Sequence, residues 1–347
     1  MRRVEVVAPN FKRRLSGVTS TIVQLVPLQA RAMGVATLGP GLPADLPKMR
    51  WWQVPALLTK PAERPFRIWH ARRNTEMLAG ILAKHVFRAP LKLVFTSAAQ
   101  RDHRAYTKWL IRRMDAVVAT SARSGSFLKV PHRVVMHGID IERFRPPRGT
   151  GDDWAASGLP GRYGIGCFGR IRHQKGTDLF VAAMIELLPR YPDWTALVFG
   201  RATAENSAFA DELRGRVRDA GLGDRVRFMG EVPDVVPWYR RIALCVAPSR
   251  NEGFGLTPLE AMASGTPTVA SDAGAYAEMI VPGKTGVVVP AGDGTAITRA
   301  IEAYMADPAT AKRQGEAARA HVTARFALAR EADALAEVYE GLWKGEA

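Results

Sequence analysis

The chain has 347 residues, 47% of them apolar and 24% charged, with a formal net charge of +16. That length favours two domains, each large enough for its own core, and the apolar fraction excludes a disordered chain. Two cysteines, Cys167 and Cys245, exclude a disulfide framework; both fall in apolar runs and read as small buried side chains rather than a bridge or a metal pair.

The charge is unevenly spread. Residues 1–144 hold 25 Lys and Arg against 8 Asp and Glu, a net +17, whereas residues 145–347 hold 24 against 25, a net −1. A basic half can serve nucleic acid, anionic lipid headgroups or a phosphorylated substrate. No zinc-finger spacing, RNP-type aromatic strand or basic-zipper heptad accompanies it. The expectation is therefore a membrane surface carrying an anionic acceptor, with no nucleic acid as partner. The first residues run directly into a strand pattern without a leader-type apolar segment, and no apolar run reaches the ~18 residues that span a bilayer, so a cytosolic protein is expected.

In chain order, a strand over 4–8 leads through a loop to Gly17 and a helical pattern carrying Ile22, Val23, Leu25 and Val26. This half lacks G-x-G-x-x-G, which argues against a dinucleotide site here. Residues 48–73 are rich in Trp, Pro and Arg; their indoles suit either a membrane interface or the first domain's core, and the prolines oppose one long amphipathic helix. A strand over 91–96 is followed by Ser97 and, six residues later, His103, then by a helix carrying Trp109 to Met114. His103 reads either as turned into a site at the helix start or as a solvated loop residue. Short apolar strands follow at 115–121 and 133–136, and Pro146-Pro147 with Gly149 and Gly151 marks a domain boundary.

The second half opens with Gly164, Gly166 and Gly169 in a literal G-x-G-x-x-G. Its first two glycines lie inside a strand rather than after it, so it is no dinucleotide fingerprint. Arg170 and Lys175 in the following strand-to-helix loop can converge on one diphosphate, Arg as a planar fork and Lys as a mobile point charge. Strands then alternate with helices at 196–199, 226–229, 242–247, 268–270 and 286–289, giving with the first a six-stranded doubly wound sheet.

After the strand at 242–247 stands the most informative stretch, 248–267. Gly253 and Gly255 remove side chains from a turn just before a helix, where Thr257 reads as the N-cap and Pro258 as the first helical residue. Backbone N–H groups there can approach an anion. Glu252 and Glu260 flank this seat, and a carboxylate beside a phosphate needs another partner, for which sugar hydroxyls are the natural donors.

Glu252, seven residues and Glu260 in this Gly-Phe-Gly setting resemble the E-x7-E signature of retaining GT-B glycosyltransferases of the family-4, or group 1, type. The resemblance implies that Glu260 binds the ribose of a nucleotide sugar, that Glu252 contacts the donor sugar, and that Gly253, Phe254, Gly255, Leu256 and Thr257 hold sugar and diphosphate. It places Arg170 and Lys175 on the donor phosphates and Gly17 opposite the diphosphate. It puts the strand at 226–229 beside the base, mostly through backbone. The family sets a catalytic His just after the strand where this chain has Ser97, which leaves His103 as the candidate. His137-Gly138-Ile139-Asp140 resembles the family's hinge, with His137 replacing an Asn.

The expectation is an α/β protein with two Rossmann-like doubly wound domains facing across a cleft. Residues 1–144 form an acceptor-binding domain, 145–325 a nucleotide-sugar-binding domain, and 326–347 a helix crossing back to the first. The resemblance implies metal-independent transfer of a hexose with Glu252, His103, Arg170 and Lys175 as catalytic residues, and no cofactor beyond the nucleotide-sugar donor. The Ala- and Arg-rich sequence with Phe95-Thr96-Ser97-Ala98-Ala99-Gln100-Arg101-Asp102-His103 also resembles bacterial lipopolysaccharide-core mannosyltransferases, which implies GDP-mannose as donor, the Kdo of a lipid A precursor as acceptor, and an enzyme at the inner face of the cytoplasmic membrane. The alternatives are a UDP-hexose donor on the same fold, a GT-B nucleotide-sugar epimerase, and a basic nucleic-acid-binding protein.

Overall fold

The computed structural model describes residues 1–13 and 17–346. The chain divides into two compact units, Met1–Gly138 with Leu328–Ala347, and Ile139–Ala327.

In the first unit seven parallel strands form one sheet: β1 Val6–Pro9, β2 Val35–Leu38, β3 Lys48–Met49, β4 Arg67–Ala71, β5 Leu91–Ser97, β6 Ala116–Ala119 and β7 Arg133–Val134, in the order β3-β2-β1-β4-β5-β6-β7. Parallel strands are joined by crossovers that cover both faces, so their sequences run apolar without alternation. Within β1 the side chains still alternate by face. Val6 and Ala8 join a cluster with Ile22, Leu25 and Val26, while Val7 joins the opposite one with Trp69, Met77 and Leu93. The helix Leu328–Lys344 packs into the first cluster through Leu335, Val338, Tyr339, Leu342 and Trp343, so the chain's end does return to this unit.

The second unit holds six parallel strands: β8 Tyr163–Phe168, β9 Trp194–Phe199, β10 Val226–Gly230, β11 Leu244–Ala247, β12 Thr268–Ser271 and β13 Gly286–Val289, in the order β10-β9-β8-β11-β12-β13. The order reverses between β8 and β11, and ligands of open α/β sheets bind beyond the carboxyl ends of the strands at such a switch point. Gly164 and Gly166 lie inside β8, where a Cβ would press on Trp154 or on Phe168 and Ile242.

Two expected boundaries sit elsewhere. The chain changes unit after Gly138 rather than at the double proline, because the intervening segment is tied into the second unit. Ile139 N–H donates to Phe326 O at 2.8 Å, Arg319 donates to the carbonyls of Ile141 and Phe144 at 2.9 Å, and the Phe144 ring meets Tyr239 edge-on. The last helix begins at Leu328, leaving Phe326 against His321 in the second unit.

The Trp-rich stretch is core in one part and exposed in another. Trp69 in β4 is 3% exposed and belongs to the core, whereas Trp51 and Trp52, in a 3-10 helix Trp51–Leu58, are 61% and 71% exposed.

Candidate active site

The loops after β8 and β11 are fastened to each other. Arg250 N–H donates to Gln174 O at 2.9 Å, Gln174 Nε2 returns a bond to Asn251 O at 3.2 Å, and the Arg250 guanidinium forks onto Asp178 with two bonds of 2.7 Å. Burial would raise the Asp178 pKa, but the hydrogen bond and charge of Arg250, with smaller help from a backbone N–H and His173, together hold the carboxyl below its usual value. Gly176 has φ +69° and packs on Pro248 O, so no side chain fits at the crossing.

These ties carry the expected clamp residues. Lys175 Nζ forms an ion pair with Glu252 Oε2, and Glu252 Oε1 accepts from Gly253 N–H at 3.1 Å. Gly255, at φ +81°, lies where a Cβ would run into Tyr276 and the Glu252 side chain, so the glycine lets the loop close over the carboxylate. Arg170 is exposed and makes no ion pair among the described residues. Phe254 is buried at 5% exposure, which anchors the turn, while Leu256 and Thr257 are half-buried. Thr257 is the first residue of the helix Thr257–Ala263 rather than its cap, a role that falls to Leu256.

Glu260 sits one turn into that helix, half-buried, its Oε2 accepting from the Tyr239 hydroxyl at 2.7 Å. Burial raises its pKa above the usual value, against the opposing hydrogen bond from Tyr239 and the charges of Arg143 and Lys175. Tyr239 continues an aromatic stack, since Phe168 lies 4.1 Å from its ring and 4.5 Å from Phe199, nearly parallel to the latter. Beside the stack, at the carboxyl ends of β8, β9 and β10, a cavity of about 240 Å³ is lined by Phe168, Phe199, Gly230, Glu231, Thr257 and Glu260, among others. An apolar aromatic wall, a carboxylate and a nearby cationic loop are surfaces that suit a nucleoside diphosphate.

Sequence reading missed Arg172. It stands in the same loop as Arg170 and Lys175, its Nε is buried with no hydrogen-bond partner among the described residues, and burial with the nearby Arg170 charge lowers its pKa. Its position two residues from Arg170 was the available signal.

Gly17 and His103 belong to the first unit. Gly17 opens the helix Gly17–Gln29, with nothing within 4 Å of where a Cβ would stand; residues 14–16 of its loop lie outside the described residues. His103 is half-buried with Nε2 3.2 Å from Ser97 Oγ, so the structure joins the family position to the candidate histidine. Burial first, then Lys108, holds its pKa below 6.5 and the ring neutral at pH 7.

The same unit buries a polar network that the sequence did not announce. His70, 1% exposed, lies 2.6 Å from both the Tyr339 hydroxyl and Thr96 Oγ1. Glu76, fully buried, accepts from Arg73 at 2.7 Å and from Arg72 N–H at 2.8 Å, while Arg73 also donates to Asn10 Oδ1 and Thr19 Oγ1. Glu331 joins His137 Nδ1 at 2.7 Å and accepts from Gly138 N–H. Arg73 is therefore no membrane-facing cation: its guanidinium neutralises a buried carboxylate.

Two parallel sheets on a Rossmann plan, one of them carrying a cationic, carboxylate-flanked seat at its switch point, define a GT-B transferase. The chain belongs to the glycosyl transferases group 1. The description of that family matches residues 162–307. Over 343 residues, 99% of this chain and 97% of the other, it is 66% identical to the lipopolysaccharide core biosynthesis mannosyltransferase LpcC of Rhizobium leguminosarum bv. viciae. It is 52% identical to the lipopolysaccharide core biosynthesis mannosyltransferase LpsB of Rhizobium meliloti (strain 1021), across 99% of both chains. HepE of Anabaena, solved with UDP, superposes with a TM-score of 0.82 over 97% of this chain and 100% of that one at 18% identity, a likeness of fold. The protein is a hexosyltransferase, which sets aside the epimerase and nucleic-acid readings.

Proposed function

We propose that the protein transfers mannose from GDP-mannose to the Kdo of a lipopolysaccharide core precursor, with retention of anomeric configuration. The observation that carries this reading is end-to-end similarity at 66% and 52% to two proteins named as lipopolysaccharide core mannosyltransferases. In this reading the donor diphosphate lies against Arg170, Lys175 and the backbone of residues 253–257, which neutralise the charge that develops as the nucleoside diphosphate departs. Protein cations then do the work of a metal. Lys175 is held ready by Glu252, and Glu252 in turn is positioned for the sugar; Glu260 takes the ribose. His103, neutral and bonded to Ser97, is the acid–base candidate on the acceptor side.

Exposed side chains of the first unit support reading it as a membrane-facing acceptor domain. Among the described residues no helix is long and apolar enough to cross a membrane. Yet Trp51, Trp52, Phe87, Tyr106 and Trp109 are 42–71% exposed on this unit, alongside exposed Arg88, Arg104, Arg112 and Arg113. Aromatic rings at headgroup level with Arg reaching phosphate suit peripheral attachment to an anionic leaflet.

The test is incubation with GDP-mannose, UDP-glucose and UDP-galactose, each with and without a Kdo-bearing lipid A precursor. Mannosylated lipid from GDP-mannose alone, with an α-configured product by NMR, is the expected outcome. Transfer only from a UDP-sugar, or an inverted product, would replace the reading.

A further inference from the structure

Glu231 lines the cavity beside Glu260 and forms an ion pair with Arg201, next to the lining residue Gly200, that neither the fold nor the phosphate seat uses. We propose that Glu231 and Arg201 read the hydrogen-bonding edge of guanine and so select a guanosine over a uridine donor. The inference rests on the reading above that Glu260, in the lining of this cavity, takes the donor ribose.

The placement follows from strand order. The cationic loop with Arg170 and Lys175 leaves β8 at the switch point, and the cavity extends from there past Phe168 and Phe199 to Gly230 and Glu231 at the end of β10. A diphosphate held at the switch point therefore directs its base toward β10. Phe168 and Phe199, stacked on each other and largely buried, line this path and give it an apolar wall. Gly230 is left-handed, φ +68°, and no atom lies within 4 Å of its Cβ position, so the approach to Glu231 is open.

The chemistry of the rim is specific. Arg201 Nε lies 3.2 Å from Glu231 Oε2, with side chains 64% and 69% exposed. An ion pair so exposed adds little to stability, and the fold does not need it. It sets guanidinium donors beside two carboxylate acceptors. Guanine offers the complement, the O6 acceptor next to the N1–H and N2–H2 donors. Uracil presents a single N3–H between two carbonyl oxygens, and a carboxylate aligned with that edge meets a lone pair.

The experiment is calorimetric titration of the full chain with GDP, inosine diphosphate and UDP, for wild type, Glu231→Ala and Glu260→Gln. Inosine diphosphate lacks only the N2 amine. Wild type should bind GDP about tenfold more tightly than either competitor, and Glu231→Ala should lose about tenfold to a hundredfold for GDP, the range for a hydrogen bond to a charged group. UDP affinity should hold, and the GDP-to-inosine diphosphate gap should close. Glu260→Gln should weaken all three ligands alike, because every one carries the ribose. Unchanged GDP-to-UDP and GDP-to-inosine ratios in Glu231→Ala overturn the inference while leaving the donor reading standing. A wild type that prefers UDP overturns the donor reading itself.

Discussion

The two units use charge differently. In Ile139–Ala327 the functional charges are few and sit in two loops tied together, so that Lys175, Glu252 and Arg170 are placed by backbone hydrogen bonds and glycines. In the first unit cations are numerous but divided between interior and surface. Arg67, 1% exposed, donates to the carbonyls of Met1, Val4, Ala56 and Thr59, and Arg64 pairs with Glu5 and Glu340 at 2.8 and 2.5 Å. Arg73 neutralises Glu76. A segment's net charge therefore overstates its external field, because a buried guanidinium counts as much in the sum as one facing water. The difference also shows in the apolar surface: among the described residues every strongly exposed aromatic lies in the first unit.

The comparison is tested most severely at the clamp. On the proposed reading, removing Lys175 takes a cation from the donor phosphates and leaves Glu252, a half-buried carboxylate, facing them alone. Lys175→Ala should lower turnover by at least about a hundredfold, and Arg170→Ala should weaken nucleoside diphosphate binding by about tenfold to a hundredfold. Calorimetry with unchanged affinity in both variants would remove the phosphates from this loop.

The two carboxylates should separate next. Glu260→Gln should weaken binding of free nucleoside diphosphate. Glu252→Gln should leave it intact or tighten it, since Lys175 is then released from its ion pair, while turnover falls. Equal losses of affinity in the two variants would contradict the division of labour.

In the first unit, buried and exposed cations should respond to different assays. Arg73→Ala removes the ion-pair partner of a fully buried carboxylate, leaving it only the Arg72 N–H and the nearby Arg72 charge, and should cost about 3 kcal/mol in stability. Arg112 and Arg113, exposed, should be worth about 1 kcal/mol each toward an anionic surface. Replacing both with Ala should weaken flotation with lipid A vesicles by roughly tenfold or more at low salt and leave melting unchanged. Replacing Trp51 and Trp52 with Ala should weaken flotation at high salt as well, where charge is screened over a few ångströms. Flotation indifferent to all four residues would end the membrane reading.

Legibility in the sequence followed the same division. The six strands of the second unit were visible because burial on both faces demands unbroken apolar runs, and its two loops because Gly253, Gly255, Arg170 and Lys175 stand at strand ends; β2, β3 and β4 of the first unit went unread, β4 because Arg67 and His70 interrupt its apolar run. His70 and Glu76 were not visible, since a polar residue in an apolar strand or helix does not reveal partners that come from Tyr339 and Arg73, far away in sequence. The same reason hid the fate of Arg73, whose sequence neighbourhood looks like any basic surface patch. The unit boundary moved because Arg319 and Phe326, distant in the chain, capture the carbonyl and N–H groups of residues 139–144.

The smallest expected effect concerns acid. Burial first, then the charges of Arg72 and His137, holds the His70 pKa well below 6.5. The unfolded chain therefore takes up this proton before the folded one does. Stability from His70 is complete above about pH 6.5 and declines as pH falls toward the folded value, by at most about 1.4 kcal/mol per pH unit for a single group. His321 in the second unit is shifted in the same direction, by burial opposed by its bond to Met279 O, and is more exposed. The fall in melting temperature between pH 7 and 5.5 should accordingly shrink more in His70→Gln than in His321→Gln, each compared with its own value at pH 7. Substitution at His70 also removes bonds to Tyr339 and Thr96, so its midpoint starts lower at every pH. It is the slope, and not the midpoint, that reports the proton. Equal slopes in wild type and His70→Gln would mean that the network around Tyr339 admits the charged ring.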